Sequence, residues 1–169
     1  TGSADDLVSS QRGAHVGDRT ICAADMPAAI REFCRSTGQR PPETDGEIVR
    51  TCLESLAVRY RATLDELEAV VGRRLASLHV VGGGSRNRTL CRMTADACGR
   101  PVFAGPVEAT ALGNVMAQAV ATGDLEGFAA GRAAIAASVQ VERTEPGARD
   151  GWDEALARLR AIEARAAAR

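Results

Sequence analysis

The chain has 169 residues, of which 45% are hydrophobic and 25% charged, and its formal net charge is −1. These values are typical of one globular domain and give no overall attraction to nucleic acid or to an anionic membrane, so we expect neither partner. All 21 basic residues are arginine, which excludes a P-loop lysine and a Schiff-base lysine.

The first 24 residues are polar and have no sustained hydrophobic period, so we expect a disordered tail or a truncated N-terminal segment there. A first helix is predicted from Asp25, its N-cap, with Pro27 in the first turn and Gly38 as the stop. Thr44 and Glu47 have the spacing of a capping box and begin a long second helix that continues to Gly72. At about 1.5 Å per residue this helix would be roughly 40 Å long.

A short apolar run, "LASLHVV", predicts a buried strand that leads into three glycines, and His79 in it is expected to be a core or edge histidine. A helix from about Ser85 to Cys98 follows, and then "RPVFAG" predicts a second strand. The segment "PVEATALGNVMAQAVATG" predicts a further helix, whose small residues allow close packing against the helix after the glycines. Two alanine-rich helices are predicted near 125–138 and 152–167, and "QVERTEPGARDG" between them is a loop whose start is extended.

This order of elements predicts a helix-rich α/β fold with a short parallel strand pair. Two parallel strands buried on both faces do not form a self-sufficient sheet, so the sequence is interpreted as part of a domain. No signal peptide or membrane-spanning run is evident, and a cytoplasmic location is expected.

The five cysteines do not form a metal-ligand or redox pattern. There is no C-x-x-C pair and no histidine at zinc-ligand spacing, so no metal site is predicted. Cys91 and Cys98 lie seven residues apart on one predicted helix, about 10 Å between Cα atoms, whereas a disulfide needs less than about 7 Å. Ordinary thiols of a reducing compartment are therefore favoured over a redox or metal protein.

The stretch "LHVVGGGSRNRTL" has the layout of an anion site, because a loop between a parallel strand and a helix presents free backbone N–H groups and the positive end of the helix dipole. Gly82, Gly83 and Gly84 would allow a ligand to approach the backbone. Ser85 or Asn87 can cap the helix, and Asn87 could instead bind a ligand. The Walker A and Rossmann patterns both fail here. From this pattern alone, a structural turn and a ligand site are equally supported.

A second stretch, "AGPVEATALGN", repeats the order of strand, glycine turn and helix start. Together with "DMPAAIREFCRSTGQ", "PETDGEIVRTCLESLAVRY" and "TADACGRPV", these segments resemble the C-terminal domain of the FGGY carbohydrate kinases over about residues 25–125. The combination of the triple glycine with "AGPVEATALGN" resembles the L-rhamnulose-specific members more than the glycerol or xylulose kinases.

The resemblance implies part of the C-terminal lobe of an actin-like ATPase (ribonuclease H-like) fold, with ATP or ADP between two lobes. It assigns the adenosine and α-phosphate end of the nucleotide to Gly83, flanked by Gly82 and Gly84, with Ser85 and Asn87 as weaker contacts. Mg²⁺ would be held through the nucleotide phosphates, and the γ-phosphoryl group would pass to a hydroxyl of the sugar. The implied arrangement is a nucleotide-side kinase domain over residues 25–140, followed by a loop and an Ala/Arg-rich helix over residues 141–169.

The family's loop for the β- and γ-phosphates, its aspartate base and most of its sugar contacts have no counterpart in this sequence. No catalytic residue is therefore assigned, and Asp25, Asp45 and Asp96 are not nominated as the base. We expect a partner in the missing N-terminal kinase lobe and no activity of this chain alone. Family members can carry disulfides at positions that correspond to Cys34 and Cys98, but the expected partners are displaced here and no bridge is predicted. A second hypothesis is a non-catalytic nucleotide-binding or interaction module that docks on a partner protein.

Overall fold

The computed structural model describes residues 25–167. The predicted tail over residues 1–24, with His15 and Cys22, lies outside the described residues.

Both predicted helix caps at the start of the described chain are confirmed. The first helix, α1 (Met26–Ser36), begins after Asp25, whose side chain accepts a hydrogen bond from the Ala28 amide at 2.9 Å. The second, α2 (Asp45–Val71), begins after Thr44 with a complete capping box, because Thr44 and Glu47 each accept a hydrogen bond from the other's amide. Gly72 ends α2 with a left-handed conformation at φ 66°.

A three-stranded mixed sheet follows, in the order β1-β2-β3. Strands β1 (Leu78–Val80) and β2 (Val102–Ala104) are parallel, with Leu78 opposite Val102, and this confirms the predicted pair. Strand β3 (Glu142–Thr144) pairs antiparallel with β2. The extended start predicted for "QVERTEPGARDG" is confirmed as β3. The prediction of only two strands was wrong, because the "ERT" of β3 has no apolar alternation and becomes a strand only by pairing with β2.

Strand β1 is shorter and less buried than predicted. Leu78 and Val80 are half-buried, and His79 is exposed on this edge strand, where its ring stacks on Phe103 with the centroids 5.0 Å apart. The edge interpretation of His79 is therefore confirmed and the core interpretation is wrong.

The first three helices after the glycines begin later than predicted, whereas the last helix begins at Trp152, as predicted. Gly83–Arg86 form a short 3₁₀ helix, and α3 (Arg88–Cys98) begins only after Asn87. Helix α4 spans Ala109–Thr122, α5 Phe128–Ser138 and α6 Trp152–Ala167.

Helix α2 is the centre of the packing, with α3 and α6 against it. Its Val58 and Ala62 form a buried cluster with four side chains of α6, namely Ala155, Leu156, Leu159 and Ile162. A second cluster joins α3 to the inner face of the sheet, through Cys91, Ala95, Val102 and Ala104. One buried cluster therefore lies between α2 and α6, and the other lies between α3 and the sheet.

The predicted close packing of the small residues of α4 against α3 is wrong. No residue of α4 is buried among the described residues, and a Cβ atom placed on Gly113 would meet nothing within 4 Å. Helix α4 instead packs against α5, where a Cβ atom on Gly131 would lie 2.3 Å from Cγ of Met116.

The described part of the chain has four cysteines, and none of them forms a disulfide. Cys34, Cys91 and Cys98 are buried. No helix within residues 25–167 is both long enough and apolar enough to cross a membrane.

Candidate functional site

The two glycine-containing turns lie side by side at one edge of the sheet. Because β1 and β2 are parallel, the glycine loop (Val81–Asn87) and the second turn (Gly105–Glu108) both leave carboxyl ends of strands. The amide of Gly105 donates to the Val80 carbonyl at 2.8 Å, and the amide of Gly82 donates to the Pro106 carbonyl at 2.9 Å. The first bond connects the second turn to the end of β1, and the second bond connects the second turn to the glycine loop.

The three glycines of the loop differ in what they permit. Gly82 has φ 77° and ψ −163°, a region that is essentially restricted to glycine. Among the described residues, a Cβ atom on Gly83 would meet no atom within 4 Å, and one on Gly84 would reach only Cγ1 of Val80 at 3.9 Å. Gly82 is thus required by the backbone conformation, whereas Gly83 and Gly84 form an exposed surface that a ligand can approach.

Ser85 stabilises the glycine loop from its buried side. It is buried, and its hydroxyl donates to the Gly82 carbonyl at 2.6 Å, while its amide donates to the same carbonyl at 3.1 Å. The Cys91 thiol lies 3.9 Å from the Ser85 carbonyl, and burial raises the pKa of this thiol. The thiol therefore stays protonated and can donate to that carbonyl.

Asn87 is the N-cap of α3. Its Oδ1 accepts a hydrogen bond from the Leu90 amide at 3.0 Å, so this oxygen caps the helix, as one of the two alternatives predicted. The side chain is exposed, and its amide nitrogen can still donate to a ligand. The sequence-predicted site residues, Gly82 to Ser85 and Asn87, are therefore brought together on one loop, with Ser85 facing inward.

The electrostatics of the loop favour an anion. Helix α3 directs the positive end of its dipole at the loop and has no acidic residue in its first turn. Arg86 and Arg88 flank Asn87, and Arg88 forms an ion pair with Glu142 at 3.2 Å. The exposed glycines, the dipole and these cations can together hold a phosphate-bearing ligand against the backbone.

The aspartates that are not proposed as a base lie at helix starts or in a structural ion pair. Asp25 caps α1, Asp45 lies in the first turn of α2, and Asp96 pairs with Arg92 and accepts from the Gly147 amide. Among residues 25–167, no three His, Cys, Asp or Glu side chains are grouped so that they could hold a metal ion.

Sequence reasoning missed the hydrogen bonds that join the two turns. The signal was present in the sequence, because both turns follow strands that were predicted to be parallel, and such strands end at the same edge of a sheet. The backbone acceptor at Pro106 could not be identified from residue type.

Comparison with known proteins identifies a family for this arrangement. Residues 13–122 match the sequence model of the C-terminal domain of the FGGY family of carbohydrate kinases. A rhamnulokinase from Bacteroides thetaiotaomicron is 51% identical over 132 residues, which cover 78% of this chain and 27% of that protein. A rhamnulokinase from Pectobacterium atrosepticum is 39% identical over 145 residues, which cover 86% of this chain and 29% of that protein. The chain thus spans about a quarter of the length of the curated relatives it matches.

A solved structure supports the same assignment. The crystal structure of a xylulose kinase from Rhodospirillum rubrum matches with a TM-score of 0.54 and 25% sequence identity, covering 75% of this chain and 26% of that one. The expected fold, a helix-rich α/β part of an actin-like ATPase lobe, is confirmed.

Proposed function

The chain belongs to the FGGY family of carbohydrate kinases, and from this we propose that it is the nucleotide-side part of a rhamnulokinase. Such an enzyme transfers the γ-phosphoryl group of ATP to L-rhamnulose and produces ADP and L-rhamnulose 1-phosphate. Because this reaction consumes ATP and a metabolic sugar, the cytoplasm is its proposed location.

The observation that supports the proposal most directly is the open backbone at Gly83. Apart from its chain neighbours, no atom of the described residues lies within 4 Å of a Cβ position on Gly83. The loop lies at the N-terminal end of α3, and the second turn is hydrogen-bonded to it at Gly82. A nucleotide phosphate fits this surface, because its oxygens would meet N–H groups and a helix dipole and no side chain.

In the proposed reaction, the residues of this chain bind and orient the nucleotide. Gly83 and Gly84 would hold the α-phosphate and ribose through the backbone, while Asn87 would use its amide nitrogen. Ser85 would keep the Gly82 carbonyl turned away from the ligand. When bound, Mg²⁺ would supply charge neutralisation through the nucleotide phosphates.

The proton acceptor and the loop for the β- and γ-phosphates are proposed to lie outside these 169 residues. The chain alone, mixed with ATP, Mg²⁺ and L-rhamnulose, should therefore form no sugar phosphate in a coupled ADP-release assay. Sustained turnover by the chain alone would contradict this division of roles.

Replacing Gly83 with aspartate tests the nucleotide site. The carboxylate would occupy the ligand space and repel the phosphates, so calorimetry should detect no ADP binding to Gly83→Asp. Gly46→Asp is the matched control: it puts the same side chain on an exposed glycine in the first turn of α2, where a Cβ atom meets only Oγ1 of Thr44 at 3.9 Å. Equal ADP affinity in both variants would identify the loop as only a turn.

A further inference from the structure

An ion pair between Arg88 and Glu142 connects the helix that follows the glycine loop to the strand at the opposite edge of the sheet. Arg88 is the first residue of α3 and directly follows Asn87, whereas Glu142 is the first residue of β3, 54 residues later in the chain. Nε of Arg88 lies 3.2 Å from the Glu142 carboxylate. The two side chains are 82% and 53% exposed, so a ligand can reach both groups.

The antiparallel pairing of β3 with β2 explains how Glu142 reaches this position. Glu142 lies opposite Ala104, the last residue of β2, so the start of β3 lies beside the second turn. The approach is close, because a Cβ atom on Gly105 would lie 3.2 Å from the Gln140 carbonyl oxygen. The register of β3 therefore brings an acidic side chain to the edge at which both turns leave the sheet.

The negative charge of Glu142 acts on the first turn of α3. Burial raises the pKa of the Cys91 thiol, and the charge of Glu142 raises it further. This thiol lies on the buried side of the glycine loop, 3.9 Å from the Ser85 carbonyl oxygen. Glu142 therefore opposes the positive potential that Arg88 and the dipole of α3 present to an anion at the loop.

The ion pair is weak enough to be exchanged for a ligand. A pair between exposed groups contributes little to stability, because water solvates both partners well. The bond to Glu142 uses Nε of Arg88, and the terminal nitrogens of the guanidinium group can donate to a second acceptor. A phosphate group has oxygens that match two parallel guanidinium donors, and such bonds to a charged acceptor are among the strong ones.

From these observations we propose that Arg88 is a phosphate-binding residue of the glycine loop and that Glu142 competes with the nucleotide for it. In the free chain Glu142 holds the Arg88 guanidinium group. When a nucleotide phosphate lies against Gly83, Arg88 exchanges the carboxylate for phosphate oxygens, so Glu142 lowers the affinity of the site for nucleotide. This inference rests on the proposed nucleotide site and adds to it one side chain of α3 and one of β3.

Calorimetry of ADP binding to the intact chain tests the role of Arg88. Arg88→Gln should weaken ADP binding about tenfold, the expected cost of losing a hydrogen bond to a charged group. Arg88→Lys retains the charge but loses the planar pair of donors, so its affinity should lie between those of Arg88→Gln and the wild type. Arg35→Gln is the matched control, since Arg35 forms a similarly exposed ion pair with Glu32 on α1, and it should leave the affinity unchanged.

Glu142→Gln tests the competition. It releases Arg88 and should strengthen ADP binding about threefold, which is within the range expected for an exposed ion pair. In the Arg88→Gln background the same substitution should change the affinity by less than about 1.5-fold, because no guanidinium group is left to release. Glu32→Gln is the charge-matched control and should have no effect in either background. An equal gain from Glu142→Gln in both backgrounds would overturn the proposed competition.

The outcomes separate this inference from the nucleotide site itself. If Gly83→Asp abolishes ADP binding and Gly46→Asp does not, equal affinity of Arg88→Gln and the wild type would overturn the role of Arg88 alone. If the wild-type chain binds no ADP, both proposals are overturned. Urea midpoints of Arg88→Gln and Glu142→Gln should match the wild type, as expected for exposed groups. A loss of ADP binding that accompanied unfolding would assign Arg88 a structural role and would also overturn the proposal.

Discussion

Within the glycine loop, Gly82 is held in a conformation that a side chain would strain. With φ 77° and ψ −163°, an alanine there should lower the free energy of unfolding by about 1–3 kcal/mol. Gly83→Ala is the comparison, because its Cβ atom meets no neighbour within 4 Å among the described residues, and we expect a change in the free energy of unfolding of at most about 0.5 kcal/mol. Urea denaturation of both variants measures the difference, and equal stability would show that the loop relaxes.

The Cys98 thiol should be unreactive in the folded chain. Burial raises its pKa to about 11, although Arg61 and Arg100 lie near and act in the opposite direction. Since the thiolate is the reactive form, alkylation by iodoacetamide at pH 8 should be about 100-fold slower than for a thiol with the usual value of 9.0. Mass spectrometry of native and urea-unfolded chain checks this, and rapid native labelling of Cys98 would contradict it.

At the level of the elements, helix ends were more predictable than strands. Asp25, Thr44 and Gly72 act on amides or dihedral angles within four residues, so their roles depend on local sequence alone. Strand β3 depends on β2, some 40 residues earlier in the chain, and its residues, of which Glu142 and Arg143 are charged and exposed, have no apolar alternation. The loop glycines could be proposed from the sequence for the same local reason, whereas the Pro106 carbonyl, which accepts from the Gly82 amide, could not be identified from residue type.

The stabilisation that the Glu47 carboxylate gives to the start of α2 should be lost in acid. The Glu47 carboxylate accepts from the amides of Glu43 and Thr44, and these bonds hold its pKa below the usual 4.5. Its stabilising effect is therefore present above pH 4.5 and is lost as the pH falls through the lowered value. Glu47→Gln should show a smaller loss of stability between pH 7 and pH 3 than the wild type in urea titrations. An identical loss in both would show that this carboxylate has no part in it.

Thr44 offers a test of the same cap that does not involve charge. Thr44→Ala removes the acceptor of the Glu47 amide and should cost about 1 kcal/mol of stability. Thr44→Ser retains the hydroxyl and is the matched control. If the two variants were equally stable by thermal unfolding, the cap would contribute nothing measurable.

For the whole molecule, the question is whether the C-terminal segment folds with the rest. Strand β3 completes the sheet, and α6 forms a buried cluster with α2 that is flanked by ion pairs of Arg59 with Glu163 and of Arg160 with Asp65. This packing joins the segment after residue 140 to the family-matched part of the chain, and a single cooperative unit is expected from it.

Leu159→Ala tests that cooperativity. Its side chain is 4% exposed in the α2–α6 cluster, so the truncation should cost about 2–5 kcal/mol, whereas Val70→Ala, at an 84% exposed position of α2, should cost little. Trp152 reports the α6 cluster and far-ultraviolet circular dichroism reports all the helices, so in urea the two signals should shift together to lower concentration in Leu159→Ala. If only the fluorescence transition shifted and the circular dichroism transition did not, α6 would unfold independently of the other helices. The substitution would then destabilise only the α2–α6 cluster and leave α3 and the glycine loop unaffected.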